Sequence, residues 1–120
     1  MKRDMELVRQ ILLQVEQAEN DPLEWIDLSF EHWPHEVVSY HTKLLIDAGL
    51  LEGQDLSDLS GSDWRPKSLT WEGHEFLDAA RNETVWNKAM ASLKEKSMTV
   101  PFEVLKAVVI QKCREYFGVA

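Results

Sequence analysis

The sequence predicts a mainly helical α+β protein carrying one small antiparallel β hairpin. Three observations carry this expectation. Apolar residues recur at three- and four-residue spacing through most of the chain, which is the helical period. Residues 53–66 (GQDLSDLSGSDWRP) are rich in Gly, Ser and Asp and separate two short apolar strings, as the tip of a hairpin does. Pro and Gly stand where helices start and stop. At 120 residues, 44% hydrophobic and 28% charged, the composition is globular and the length is that of one domain.

The elements follow in order. Asp4 to Glu19 reads as an amphipathic helix through Met5, Val8, Ile11, Leu12 and Val15. Asp4 is its expected N-cap, and the helix should end near Asn20, Asp21 and Pro22. Leu23 to Phe30 (LEWIDLSF) alternates roughly and reads as a short half-buried strand. Pro34 opens a second helix with an expected apolar stripe of Val37, Tyr40, Leu44, Leu45 and Ala48, and Gly49 is the natural residue after its end. Leu50 to Glu52 leaves as a strand, and Lys67 to Trp71 returns as its partner. Three further helices are expected: Glu72 to Arg81 with Phe76, Leu77 and Ala80 inward, about Thr84 to Lys96, and one from Pro101 to just before Gly118. The expected organisation is one domain over 1–120, with a core in 1–80 and a C-terminal helical extension in 81–120.

Two strings carry a resemblance. Tyr40 to Gly53 (YHTKLLIDAGLLEG) looks like the end of a winged-helix recognition helix running into the first wing strand. Leu69 to Lys88 opens like the Leu-Thr-x-x-Gly turn that leaves the second wing strand. With the MKRDM start, the pattern resembles a bacterial and phage family catalogued as domain of unknown function 2513, which brings no established activity and no catalytic residues with it. The resemblance implies a winged-helix-like domain with extra C-terminal helices. It departs from a standard DNA-binding winged helix in one respect. Only about 19 residues, Glu31 to Gly49, precede the wing, where a helix-turn-helix needs two helices. One helix or two remains open from the sequence.

Charge limits the function classes. Net charge is −8, with 6 Lys/Arg against 17 Asp/Glu in residues 1–80 and 7 against 4 in residues 81–120. An acidic body repels phosphate backbones, so any nucleic-acid contact must be local. At about 100° per residue, the outward face of the second helix would hold Glu36, Ser39, Thr42, Lys43, Ile46 and Asp47, of which Lys43 alone suits base or phosphate contact. Arg65 and Lys67 at the wing are the other candidate DNA contacts. A solvated face and a surface hairpin with scattered charges are the plainer readings.

The chemistry-bearing residues point away from catalysis. His32 and His35 have H-x-x-H spacing, but Pro34 stands between them and no second cysteine completes a structural metal site. His41, within an apolar stripe, reads as a hydrogen-bonded boundary histidine, and His74 stands alone. Cys113 falls on the apolar face of the last helix with Phe102, Leu105 and Val109, where burial would make it inert. No nucleophile elbow, phosphate loop or dinucleotide fingerprint is present. No cofactor or metal is expected, and no enzyme. The single cysteine fits a reducing compartment, and no apolar run approaches a membrane span, so a cytoplasmic protein is expected.

Partner contacts are expected at two places. Of the five tryptophans, Trp25, Trp71 and Trp86 are expected in the core, and Trp33 and Trp64 exposed at a contact surface. The last helix spreads apolar residues, Val104, Val108 and Tyr116 among them, over more than half its circumference. It is either central to the monomer or turned to a partner, a second copy included. Two functions stay open at this point. One is a dimeric DNA-binding regulator, of phage or mobile-element origin by the resemblance. The other is a protein-interaction module on the same scaffold.

Overall fold

The computed structural model describes residues 2–18, 24–95 and 101–118. The element order is α1 (Met5–Ala18), α2 (His35–Asp47), β1 (Leu51–Asp55), β2 (Trp64–Leu69), α3 (Trp71–Ala80), α4 (Glu83–Glu95) and α5 (Phe102–Tyr116). The mainly helical α+β class with one small antiparallel hairpin is borne out. The expected end of the first helix at Asn20 to Pro22, Leu23 of the expected first strand, and Lys96 lie outside the described residues. The chain forms two compact units, Met1–His74 and Glu75–Ala120.

In the first unit α1 packs on α2 and on β2, and α2 lies across the hairpin. Asp4 caps α1 as expected, its Oδ1 accepting the N–H of Glu6 at 3.0 Å and of Leu7 at 3.2 Å. The helix buries Leu7, Val8, Ile11, Leu12 and Val15. Pro34 sits immediately before α2, and the segment between Glu31 and Gly49 contains one helix, not two. At its far end the Gly49 N–H donates to the Ile46 carbonyl, and Gly49's φ of +78° turns the Leu50 N–H back to the Leu45 carbonyl. This is a Schellman ending, with Leu45 and Leu50 both buried beside it.

The buried face of α2 is rotated from the expected stripe. Val38, Ser39, His41, Thr42 and Leu45 are buried, while Val37, Tyr40 and Leu44 are intermediate and Ala48 is exposed. The polar residues tolerate burial because each is hydrogen-bonded. Thr42 Oγ1 donates to the Val38 carbonyl at 2.8 Å, and Ser39 Oγ accepts the Trp64 N–H at 2.8 Å. His41 is fully buried rather than at a boundary, and it is hydrogen-bonded as expected.

The hairpin is longer than expected, with eight residues, 56–63, between its strands. The register pairs Glu52 with Ser68 but Gly53 with Pro66, so Lys67 is the extra residue of a bulge. Gly53 is required here. A Cβ would collide with the Arg65 carbonyl oxygen and stand 2.7 Å from Ile46 Cδ1.

Over the described part of the expected Leu23 to Phe30 strand, residues 24–30, no strand forms. Residues 25–30 keep an alternating exposure from Ile26 onward but no strand pairing. Their one described backbone bond to the hairpin runs from the Ile26 N–H to the Pro66 carbonyl at 2.9 Å. A strand residue points its N–H and C=O to the same side, so the outward position of β2 at residue 66 has an acceptor but no donor. At the neighbouring outward position the Trp64 N–H already belongs to Ser39.

The LTWEG string explains itself in the structure. Leu69 is buried at the end of β2. Thr70 caps α3 by accepting the Gly73 N–H at 3.0 Å, and its hydroxyl donates to the Gly49 carbonyl at 2.6 Å. Gly73 lies so close to the Leu50 carbonyl that no side chain fits. Trp71, between them, points to solvent at 75% exposure, against its expected place in the core.

In the second unit α4 and α5 pack together. Phe76, Leu77, Ala80, Val85, Trp86, Ala89, Leu105 and Val109 are buried. Phe76 meets Trp86 edge-on at 6.4 Å and Phe102 at 5.4 Å. Asn82 caps α4 through the Val85 N–H at 3.1 Å.

Candidate functional site

The three candidate DNA-contacting cations each have a local partner. Arg65 lies in β2, not at the hairpin tip. Its Nε donates to both Asp63 carboxylate oxygens, at 3.2 and 3.1 Å. That bond, with the charges of Asp63 and Asp27, pushes the guanidinium pKa upward against the opposing effect of partial burial. Lys67, also in the strand, holds its Nζ 5.2 Å from the centre of the Trp25 ring. Lys43 is half-buried on α2 and acts on Asp55. Two of its expected companions on the outward face, Ser39 and Thr42, are buried, which leaves Glu36 and Asp47 as that face's exposed residues. The acidic side chains therefore dominate the surface meant for phosphates.

Around Arg65 a small cleft is lined by Ile26, Leu28, His35, Val38, Trp64 and Pro66, among others. Its polar groups bond to one another. His35 Nε2 is 3.1 Å from the Ser62 carbonyl and 3.5 Å from Asp63 Oδ1, and the Ser39 and Ser62 hydroxyls are 2.8 Å apart. This network ties the end of the hairpin loop to α2. The loop is further pinned by Asp55 and Asp58. Both carboxyl pKa values are lowered, first by hydrogen bonds from the side chains of Ser57 and Ser60 and then by those residues' backbone N–H groups. Among the described residues no group of three or more His, Cys, Asp or Glu is placed to hold a metal.

A polar junction that the sequence did not suggest joins α1 to α2. The Asp4 N–H donates to His41 Nε2 at 2.8 Å, and His41 Nδ1 stands 2.8 Å from the Val37 carbonyl. A backbone N–H can only donate and a carbonyl can only accept, so His41 is the neutral imidazole with its hydrogen on Nδ1. Asp4 Oδ2 accepts the Trp33 indole N–H at 3.0 Å. Trp33, expected exposed, is thus half-buried, and Trp64 is likewise intermediate. Trp25 is intermediate too, while Trp86 is buried as expected.

The second candidate surface is α5. It buries two residues, Leu105 and Val109. Val104 is 45% exposed, Tyr116 47% and Phe117 62%, with Val108 half-buried. Tyr116 and Phe117 meet edge-on at 5.0 Å, and Lys88 Nζ lies 5.9 Å over the Tyr116 ring. Cys113 is partly exposed rather than buried.

The family model described as "Hypothetical protein (DUF2513)" matches residues 2–99. The chain belongs to the DUF2513 family. The match spans α1 through α4, and so includes Asp4, His41, the Schellman turn and the LTWEG cap. A protein of Haemophilus influenzae described as "Uncharacterized protein" is 41% identical over 108 residues, covering 90% of this chain and 92% of its own length. No solved structure matches this DUF2513 chain. No helix among the described residues is long and apolar enough to cross a membrane.

Proposed function

We propose that this DUF2513 protein is a non-enzymatic binding module that associates with protein through α5, a second copy of the chain being the simplest partner. The observation that carries this reading is the exposure of apolar residues along α5 and at its C-cap, where Val104, Tyr116 and Phe117 are each about half exposed or more. Exposed aromatic and aliphatic side chains favour contact with another protein surface, and Tyr116 and Phe117 stand next to one another at the helix end. The net charge of −8 and the engagement of Arg65 by Asp63 support protein over nucleic acid as the partner.

DNA binding on a winged-helix-like scaffold is the second reading. It is favoured by one observation, the order of α2 followed directly by the β1–β2 hairpin. The single helix between Glu31 and Gly49 and the acidic exposed residues of α2 weigh against it.

Sedimentation equilibrium over a wide concentration range tests the first reading, and anisotropy with mixed DNA fragments at low and moderate salt tests the second. The expected result is reversible self-association, weakened by Val104→Asp, with no salt-sensitive DNA binding. A monomer at every concentration would overturn self-association. Salt-sensitive DNA binding lost in Arg65→Ala or Lys67→Ala would install the DNA reading instead.

A further inference from the structure

The segment 24–30 lies along the outer edge of β2 without joining it. Exposure alternates from Ile26 to Phe30 as it would in a strand. The attachments are few. The Ile26 N–H donates to the Pro66 carbonyl at 2.9 Å. Gln14 of α1 holds Ser29 at both ends, accepting its N–H at 3.0 Å and donating to its carbonyl at 3.3 Å. Lys67 covers the Trp25 ring. Between the segment, α2 and β2 lies the small cleft lined by Ile26, Leu28, Val38, Ser39, Trp64 and Pro66. That is where further strand pairing would otherwise close the gap.

We infer that residues 24–30 form a releasable strap, kept from becoming a third strand by the donors that β2 lacks on its outer edge. At residue 66 the donor is missing because the residue is proline. At residue 64 it is engaged by Ser39. Two adjacent outward positions thus accept or ignore the strap but cannot bond its carbonyls, and pairing stops at one bond. Among the described residues one backbone bond, the Gln14 side chain and the Lys67–Trp25 contact hold the segment, so it opens at lower free energy than the hairpin beneath it. Opening bares Ile26, Leu28 and the outer edge of β2 together, without disturbing the β1–β2 ladder.

Amide hydrogen exchange by NMR on the full chain tests this. Gln54 and Arg65 are opposite one another in the ladder and, by alternation from the outward-facing Pro66, form a hydrogen-bonded pair that serves as the reference. The Ile26 amide is expected to exchange at least about tenfold faster than these two, since local opening exposes it alone. Gln14→Ala should speed Ile26 and Ser29 by about fivefold, the worth of roughly one ordinary hydrogen bond, and leave Gln54 and Arg65 unchanged. Pro66→Val, by restoring a donor, should slow Ile26 by about the same factor. Exchange of Ile26 in step with Gln54 and Arg65 in the wild-type protein would overturn the inference. So would a Gln14→Ala strap that exchanges no faster. Both readouts stand whether or not Pro66→Val folds.

Discussion

Replacing His41 should cost more than its volume. The side chain is fully buried and holds two hydrogen bonds, one inside α2 and one across to the first residue before α1. In His41→Leu the cavity stays filled. The Val37 carbonyl keeps its helical partner, but the half-buried Asp4 N–H loses its acceptor. An orphaned, partly buried N–H costs about 1–2 kcal/mol. In His41→Ala the same loss is joined by a cavity, and the total rises to about 3 kcal/mol. The effect should be local first. The Asp4 cap holds Trp33 through its other oxygen, so the Trp33 indole N–H resonance should broaden or shift in both variants. Urea denaturation followed by far-UV circular dichroism measures the cost, and ¹⁵N NMR of the imidazole reads the tautomer directly. A His41→Leu variant within about 0.5 kcal/mol of wild type would refute the reasoning, as that margin is typical of substitutions that touch no special feature. An imidazole protonated on Nε2 would refute it independently.

Other outcomes follow from the same geometry. Gly73→Ala should destabilise by about 1–3 kcal/mol in chemical denaturation despite alanine's better helix propensity, because its Cβ meets the Leu50 carbonyl. Thr70→Ala removes the α3 cap and the Gly49 contact together, and should cost about 1–2 kcal/mol by the same measurement. The lowered pKa values of Asp55 and Asp58 mean that both carboxylates favour the folded loop when ionised. Their contribution is present above the ordinary value of 3.8 and is lost as pH falls through their lowered values. An NMR titration should therefore show the Ser57 and Ser60 amides moving in that acidic window and not above it. Val104→Asp should leave the denaturation midpoint within about 0.5 kcal/mol of wild type, since the residue is half exposed.

What was legible in the sequence was local and backbone-driven. Asp4, Pro34 and Gly49 mark helix ends by their own chemistry, and each helix lies within a few residues of its expected place. The hairpin was legible from its loop composition, though Trp64 and Arg65 belong to the strand because the pinned loop is short. The strand expected over 23–30 is missing from its described residues, 24–30, for a reason those residues do not show. Their pattern suits a strand, but Pro66, forty residues on from Ile26, withholds the partner donor. The face of α2 was misjudged because periodicity counts apolar side chains, whereas here His41, Thr42 and Ser39 are buried through hydrogen bonds to backbone groups. The expectation of a buried Trp71 rests on its place beside a strand and a helix that need packing. It falls instead in the exposed first turn of α3, between a cap at Thr70 and a close approach at Gly73. At the candidate site, the width of the apolar spread on α5 was legible, and the structure leaves part of it exposed. The cations were legible as residues but not as partners of Asp63 and Trp25, because those pairings depend on strand register and on where the strap lies.

Sedimentation equilibrium of the wild-type chain beside Val104→Asp tests the binding-module account most directly. The account predicts concentration-dependent self-association in the wild type and a monomer of unchanged fold in the variant. A wild-type monomer across the whole range, or association that Val104→Asp leaves intact, would contradict it.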